Sequence, residues 1–168
     1  KASTDLAVAV AGVDIVFVAV PSKSSREVSR TLAGLLSEEC IVVSTTKGIE
    51  ADGFKMMSEV IHEELPKVRL GVMSGPNLAK ELAEREITAT VIASSDSGVT
   101  DTIQALLQCS YFRVYASTDT YGLELAGALK NVYAICAGMA AAMGAGSNTI
   151  SMLITRSLAE MCRFAAKK

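Results

Sequence analysis

The chain has 168 residues, 50% of them hydrophobic, and carries 16 Lys+Arg against 18 Asp+Glu for a formal net charge of −2, the profile of an ordinary soluble globular protein. With a pI near 5.5, no Trp and 5% aromatic residues, it lacks the basic excess that draws phosphate backbones and the stacking surface that holds single strands, so no nucleic-acid partner is expected. The apolar runs at 5–20 and 132–146 are broken by Asp14 or fall short of the ~20 residues of a membrane span, and no charged-then-apolar leader follows Lys1. Membrane insertion is therefore not expected, and the cytoplasm is the expected compartment.

Cys40, Cys109, Cys136 and Cys162 stand far apart with no C-x-x-C pair and read as small buried apolar residues of a reducing compartment. His62 is the lone histidine. The chain by itself therefore supplies neither a His-rich metal site nor a His-based triad, and no metal is expected.

In chain order, residues 5–11 resemble the tail of a crossover helix that feeds a strand at 15–20 (IVFVAV). A second β-branched run follows at 40–45 (CIVVST). Neither alternates with polar residues, as expected of strands buried on both faces of a parallel sheet. Between them, Ser24-Ser25-Arg26-Glu27 fits a capping box, with Val28, Leu32, Leu35 and Leu36 on one apolar face. A helix over 53–65 ends at Pro66, and a strand over 68–73 leads to a short helix over 77–85. A strand over 88–94, a helix over 102–109 and a short strand over 112–115 complete a pattern of helix-separated strands, which implies βαβ crossovers and a parallel sheet.

After Asp119 the character changes. Residues 121–143 form one long helix rich in Ala, Leu and Val, and 150–166 form another, joined by a Gly- and Ser-containing turn; the chain closes with Lys167-Lys168. A boundary near 117–120 thus separates an α/β unit, 1–118, from a helical unit, 119–168. No G-x-G-x-x-G opens the chain, and Gly144-Ala145-Gly146 lies between helices, so it is not that fingerprint. If the sheet binds a dinucleotide, its first βαβ half is expected upstream of Lys1.

Three loops follow consecutive strands: Val20-Pro21-Ser22, Thr45-Thr46-Lys47-Gly48 and Ser74-Gly75-Pro76-Asn77. Open α/β sheets bind ligands along that edge. Each loop also has a plain structural explanation: a turn before a helix, a solvated lysine beside a turn glycine, and a turn ending in an N-cap asparagine. Lys130 is harder to explain as scaffold. It sits midway along a helix whose neighbours are almost wholly apolar, so it either snorkels to the surface or serves a site. A desolvated lysine beside a second cation such as Lys47 would lose pKa from ~10.4, which suits proton exchange near neutral pH.

Val20-Pro21-Ser22, Thr46-Lys47-Gly48-Ile49-Glu50, Ser74-Gly75-Pro76-Asn77-Leu78-Ala79-Lys80-Glu81, Gly127-Ala128-Leu129-Lys130-Asn131 and Leu153-Ile154-Thr155-Arg156 occur in that order. Together they closely resemble the NAD(P)-dependent glycerol-3-phosphate dehydrogenases of bacterial type, across the whole chain. The resemblance implies the C-terminal part of a Rossmann-like dinucleotide-binding domain followed by the start of an all-helical substrate domain. It implies hydride exchange between NAD or NADP and the pair sn-glycerol 3-phosphate and dihydroxyacetone phosphate, supplying glycerol 3-phosphate for phospholipid synthesis. By motif, Lys130 is the implied proton acceptor and donor, and Lys47 touches both cofactor and substrate. Gly75 and Asn77 belong to the substrate side, and Ala79 to the cofactor side; beside them, Asn131, next to Lys130, is expected to orient a substrate hydroxyl, and Pro21 to lie against the cofactor.

The family more often has Ser or Thr at Asn77, Phe at Leu78, Gly at Ser157, and an Asp-Gly pair within Ala140-Ala141-Ala142. Its phosphate-gripping Ser-Arg-Asn segment is absent from this chain, and Arg156 reads as structural. The isolated chain is expected to be inactive. A homodimer is compatible with the sequence, which does not demand one. Two alternatives stand beside this reading: another 2-keto reductase that joins a Rossmann domain to a helical one, and a non-catalytic fragment whose long helices serve association. A charged Lys130 on an apolar helix argues against the second.

Overall fold

A computed structural model of the protein describes residues 2–166; Lys1 and the closing Lys167-Lys168 lie outside them. The chain divides into two compact units, residues 1–124 and 125–168.

The first unit is a sheet with helices on both faces. Its elements are α1 (Leu6–Ala9), β1 (Ile15–Val18), α2 (Ser22–Leu32), β2 (Ile41–Ser44), α3 (Met57–Glu64), β3 (Arg69–Ser74), α4 (Ala79–Ala83), β4 (Thr88–Ala93), α5 (Ser97–Leu107) and β5 (Phe112–Ser117). The five strands lie in sequence order. β2 is buried along its whole length. Because side chains alternate across a strand, Val42 joins Val10, Val18, Leu32, Ile61 and Leu65 on one face. Ile41 and Val43 join Ile92, Val99, Ile103 and Val114 on the other. Val42 and Val43 are fully buried, each contributing about 1.5–3 kcal/mol, which is why this run shows no polar alternation.

The expected parallel sheet holds for three pairings, β1 with β2, β2 with β3 and β4 with β5, whereas β3 and β4 are antiparallel. The connection between β3 and β4 contains only the five-residue α4, about 7.5 Å of helix, too short to carry the chain back along β3. The Thr88 hydroxyl donates to the Pro76 carbonyl at 3.0 Å, so β4 starts beside the loop where β3 ends. The eleven residues of α5 do span the sheet, and β5 returns parallel to β4.

Several helix starts differ from expectation. α2 begins at Ser22 with Pro21 as its N-cap and no side-chain cap bond, so Ser24 and Glu27 form no capping box; Pro21 itself presets the entry angle. α3 begins at Met57 because residues 49–56 form a hairpin, closed by a bridge between Ile49 and Met56 and turned at Gly53 and Phe54, both at positive φ. α5 starts five residues before its expected first turn, where the Asp96 carboxylate accepts from the Gly98 N–H at 2.9 Å. α4 starts at Ala79 with Leu78 as its N-cap, because the Asn77 side chain is engaged elsewhere. Of the four cysteines, only Cys40 is buried. Cys109 lies in the turn after α5, and Cys136 and Cys162 lie on helices whose apolar faces are largely exposed.

α6 (Thr120–Ala142) starts in the first unit, where Asp119 accepts the Gly122 N–H at 2.8 Å, and continues into the second. There it pairs with α7 (Ser147–Ala165) through a turn at Gly144, which adopts φ +83°. Tyr133 on α6 donates to Glu160 on α7 at 3.1 Å. Val132, Ile135, Met139, Ile154 and Leu158 are all more than half exposed. At 23 residues α6 is long and apolar enough, by length and composition, to cross a membrane, although neither apolar run picked out in the sequence reaches that length.

Candidate functional site

β1, β2 and β3 run parallel side by side, so the loops at their carboxyl ends share one sheet edge, as the sequence implied. The backbone ties them together. Thr45 donates both its N–H and its hydroxyl to the Val18 carbonyl, at 3.0 and 3.1 Å, and the Thr46 hydroxyl donates to Val20 at 3.0 Å. The loop after β2 is thereby stitched to the end of β1. One residue beyond Lys47, Gly48 adopts φ +143° against Ser22, and a Cβ there would lie 2.8 Å from the Ser22 Cβ. Only glycine allows that approach, so Pro21-Ser22 and Lys47-Gly48 are neighbours.

The Lys47 ammonium donates to the Gly75 carbonyl at 3.5 Å, linking the loops after β2 and β3. Gly75 is itself pressed onto β4: a Cβ would stand 2.8 Å from the Thr90 Cα and 2.9 Å from the Ala89 carbonyl. Asn77 donates its side-chain N–H to Thr90 Oγ1 at 3.0 Å. Its Oδ1 is buried without a hydrogen-bond partner. An unsatisfied buried acceptor costs about 1–3 kcal/mol and suits an O–H or N–H donor arriving at this edge. Ala79, exposed, opens α4 just beyond.

The far side of the Lys47 loop is fixed by charge. Arg26 on α2 makes a bidentate contact with Glu50, at 2.8 and 2.7 Å, and also reaches Glu63 and Glu64 on α3. Hydrogen bonds from Arg26 hold the Glu50 carboxyl below its ordinary pKa, and the same three carboxylates raise that of the guanidinium.

The first unit therefore gathers Pro21, Lys47, Gly75, Asn77 and Ala79 along one edge. Lys130 and Asn131 stand on α6 in the second unit and are exposed. Lys130 lines a groove of 490 Å³ between α6 and α7, with Tyr133, Ala137, Ile154, Leu158 and Met161. Its apolar neighbours do not bury it: Lys130 is exposed. Among the described residues no cluster of three or more His, Cys, Asp or Glu is arranged to hold a metal ion.

Sequence reasoning missed Thr46, Thr90, Arg26 and Glu124. Glu124 is buried, and its carboxylate accepts the Ser58 N–H at 2.9 Å and the Ser58 hydroxyl. It thereby caps α3, whose N-cap, Met56, offers no side-chain oxygen. The only signal in the sequence was a carboxylate alone in an apolar helix.

The family model described as NAD-dependent glycerol-3-phosphate dehydrogenase N-terminus matches residues 1–100, and that described as the C-terminus of the same enzyme matches residues 119–168. The chain is similar to the glycerol-3-phosphate dehydrogenase (NAD(P)+) of Azotobacter vinelandii, with 57% identity over 164 residues, 98% of this chain and 48% of that protein. It is similar to the protein of the same name from Alcanivorax borkumensis, with 54% identity over 99% of this chain and 48% of that one. Among solved structures, it resembles glycerol-3-phosphate dehydrogenase from Coxiella burnetii, with TM-score 0.92 and 36% identity over 99% of this chain and 51% of the other. The chain thus spans about half the length of the curated relatives it matches. On these matches and this fold, the chain belongs to the NAD-dependent glycerol-3-phosphate dehydrogenase family.

Proposed function

We propose that the protein to which this segment belongs interconverts sn-glycerol 3-phosphate and dihydroxyacetone phosphate by hydride exchange with NAD(P), and so supplies glycerol 3-phosphate for phospholipid synthesis in the cytoplasm. The observation that carries the reading is the sheet edge on which Lys47 bonds Gly75 and Asn77 keeps a buried acceptor unpartnered, in a chain of this family. Family membership favours this over another 2-keto reductase. A non-catalytic association role leaves the Lys47–Gly75 link and the unpartnered Asn77 acceptor unexplained. We also keep 1–118 as the dinucleotide-binding part and 119–168 as the start of the substrate domain; α6 then belongs to that domain and not to a membrane.

A nicotinamide dinucleotide suits this edge, where glycines bring backbone within reach and a cation stands beside them. Pro21, Lys47 and Ala79 would hold it, and when bound it supplies or takes the hydride. Gly75 and Asn77 would line the substrate side, Asn77 Oδ1 accepting from a substrate hydroxyl. A ketone carbon that gains hydride leaves an alkoxide, which needs a nearby cation and then a proton. Lys130 supplies both in reduction and takes the proton in oxidation. Lys47 adds positive potential at the edge, and Asn131 orients a substrate hydroxyl. The test is turnover of dihydroxyacetone phosphate by the full-length protein with NADH and NADPH. Loss on replacing Lys130 supports the assignment, and turnover unchanged by that replacement removes Lys130 from it.

A further inference from the structure

Lys47 sits in a loop whose two ends are restrained differently. On the near side, backbone and threonine hydroxyls bind the loop to β1. On the far side the chain leaves for the 49–56 hairpin, where the only bridge is Ile49 with Met56 and the Glu50 N–H bonds the Lys55 carbonyl at 2.9 Å. The tip carries Gly53 at φ +91° and Phe54 at φ +53° and 83% exposed. A two-stranded hairpin with one bridge and an exposed, strained tip does not hold its own place. Lys55 ties the hairpin's second arm to Glu63 of α3 at 2.6 Å, and Arg26 restrains the first arm, the one that follows Lys47. Its guanidinium fork donates from Nε and Nη2 to both Glu50 carboxylate oxygens, at 2.8 and 2.7 Å, while Nη1 donates to Glu64 and Nη2 also to Glu63 of α3, both at 2.8 Å. Glu50 lies three residues after Lys47 and Arg26 four after Ser22, against which Gly48 packs. The loop is thus gripped on both sides of Lys47.

We propose that Arg26 and Glu50 are positioning residues for Lys47, fixing where its ammonium stands on the sheet edge; the proposal rests on the role given to Lys47 above. The fork geometry matters as well as the charge. A lysine at 26 offers a point charge that cannot hold both carboxylate oxygens in one plane. Arg30 provides an internal control: it bonds Glu64 at 3.1 and 3.0 Å from the same helix, and none of its bonds involves the hairpin.

The test compares Arg26→Met, Arg26→Lys, Glu50→Gln and Arg30→Met in the full-length enzyme. Arg26→Met and Glu50→Gln are expected to raise KM for nucleotide and for dihydroxyacetone phosphate about tenfold, with kcat within about twofold, because the proton-transferring residue is untouched. Arg26→Lys is expected to recover little of that loss, and Arg30→Met to leave both constants unchanged. Hydrogen exchange at the Glu50 amide should quicken in Arg26→Met and not in Arg30→Met. Unchanged KM in Arg26→Met, an equal rise in Arg30→Met, or full recovery in Arg26→Lys overturns the proposal. If the wild-type enzyme shows no turnover of dihydroxyacetone phosphate, the assigned reaction fails. Nucleotide affinity then decides the positioning role: weakened in Arg26→Met alone, the role stands, and otherwise it falls.

Discussion

Asn77 donates its side-chain N–H to Thr90 Oγ1 at 3.0 Å, so a loop residue on the candidate ligand edge is held by the interior of the neighbouring antiparallel strand. Thr90 is 1% exposed, and its hydroxyl is available to fix the amide.

Thr90→Val keeps the shape and removes the acceptor. It is expected to destabilise the fold by about 1 kcal/mol and, in the full-length enzyme, to raise KM for dihydroxyacetone phosphate more than it lowers kcat. Thermal unfolding and steady-state kinetics check this, and an unchanged KM would return Asn77 to a purely structural role.

Gly75→Ala places a methyl group 2.8 Å from the Thr90 Cα and 2.9 Å from the Ala89 carbonyl, where backbone, not a flexible side chain, would have to yield. Overpacking of this kind costs about 1–3 kcal/mol. The variant is expected to unfold at lower temperature and to bind substrate weakly, because the loop must lift away from β4. Wild-type stability in the variant contradicts the close approach.

The sequence was most legible where a single local signal decided the structure. β2 is an unbroken β-branched run, and its burial on both faces follows from the absence of polar alternation; β1 carries a similar apolar run but lies at the sheet edge with Phe17 exposed, so the expected burial on both faces fails there. α6 reads from composition alone. The direction of β4 was not legible, since it depends on α4 being too short to return the chain. The start of α3 was hidden by a hairpin whose turn uses positive φ at Phe54, a residue that does not announce such a turn. At the candidate site, the loops could be located by their place after consecutive strands, but the bonds that hold them could not. Arg26 meets Glu50 across 24 positions and Glu124 meets Ser58 across 66, separations at which no periodic pattern carries information.

The carboxylate cluster makes acid stability checkable. Hydrogen bonds from Arg26 to Glu50, Lys55 to Glu63 and Arg30 to Glu64 lower these carboxyl pKa values in the folded chain. Groups with depressed folded values add stability above their unfolded values and lose it as pH falls through the folded ones. Unfolding temperature is therefore expected to hold from neutral pH to about 4.3, the ordinary glutamate value, and to fall below it. Arg26→Met should flatten that fall. An equally steep fall in the variant contradicts the assignment.

Glu124 has the opposite sign. Burial raises its pKa, and the nearby charge of Glu59 adds to the rise against the opposing hydrogen bonds from Ser58. Its contribution is present below the ordinary carboxylate value and lost as pH rises through the raised one. Glu124→Gln keeps an acceptor for the Ser58 N–H and removes the charge, so its stability relative to wild type should improve as pH rises through that range. Denaturant unfolding of both proteins across the range checks this, and a constant difference contradicts it.

The most direct test of the central claim is the consumption of NADH and NADPH by the full-length protein with dihydroxyacetone phosphate, measured beside a folded Lys130→Ala variant. Turnover is expected in the wild type, with a loss of about 10²–10⁴-fold in the variant, the usual contribution of a positioned proton donor. Wild-type protein that leaves dihydroxyacetone phosphate untouched with either nucleotide, or a Lys130→Ala variant that turns over at the wild-type rate, would contradict that claim.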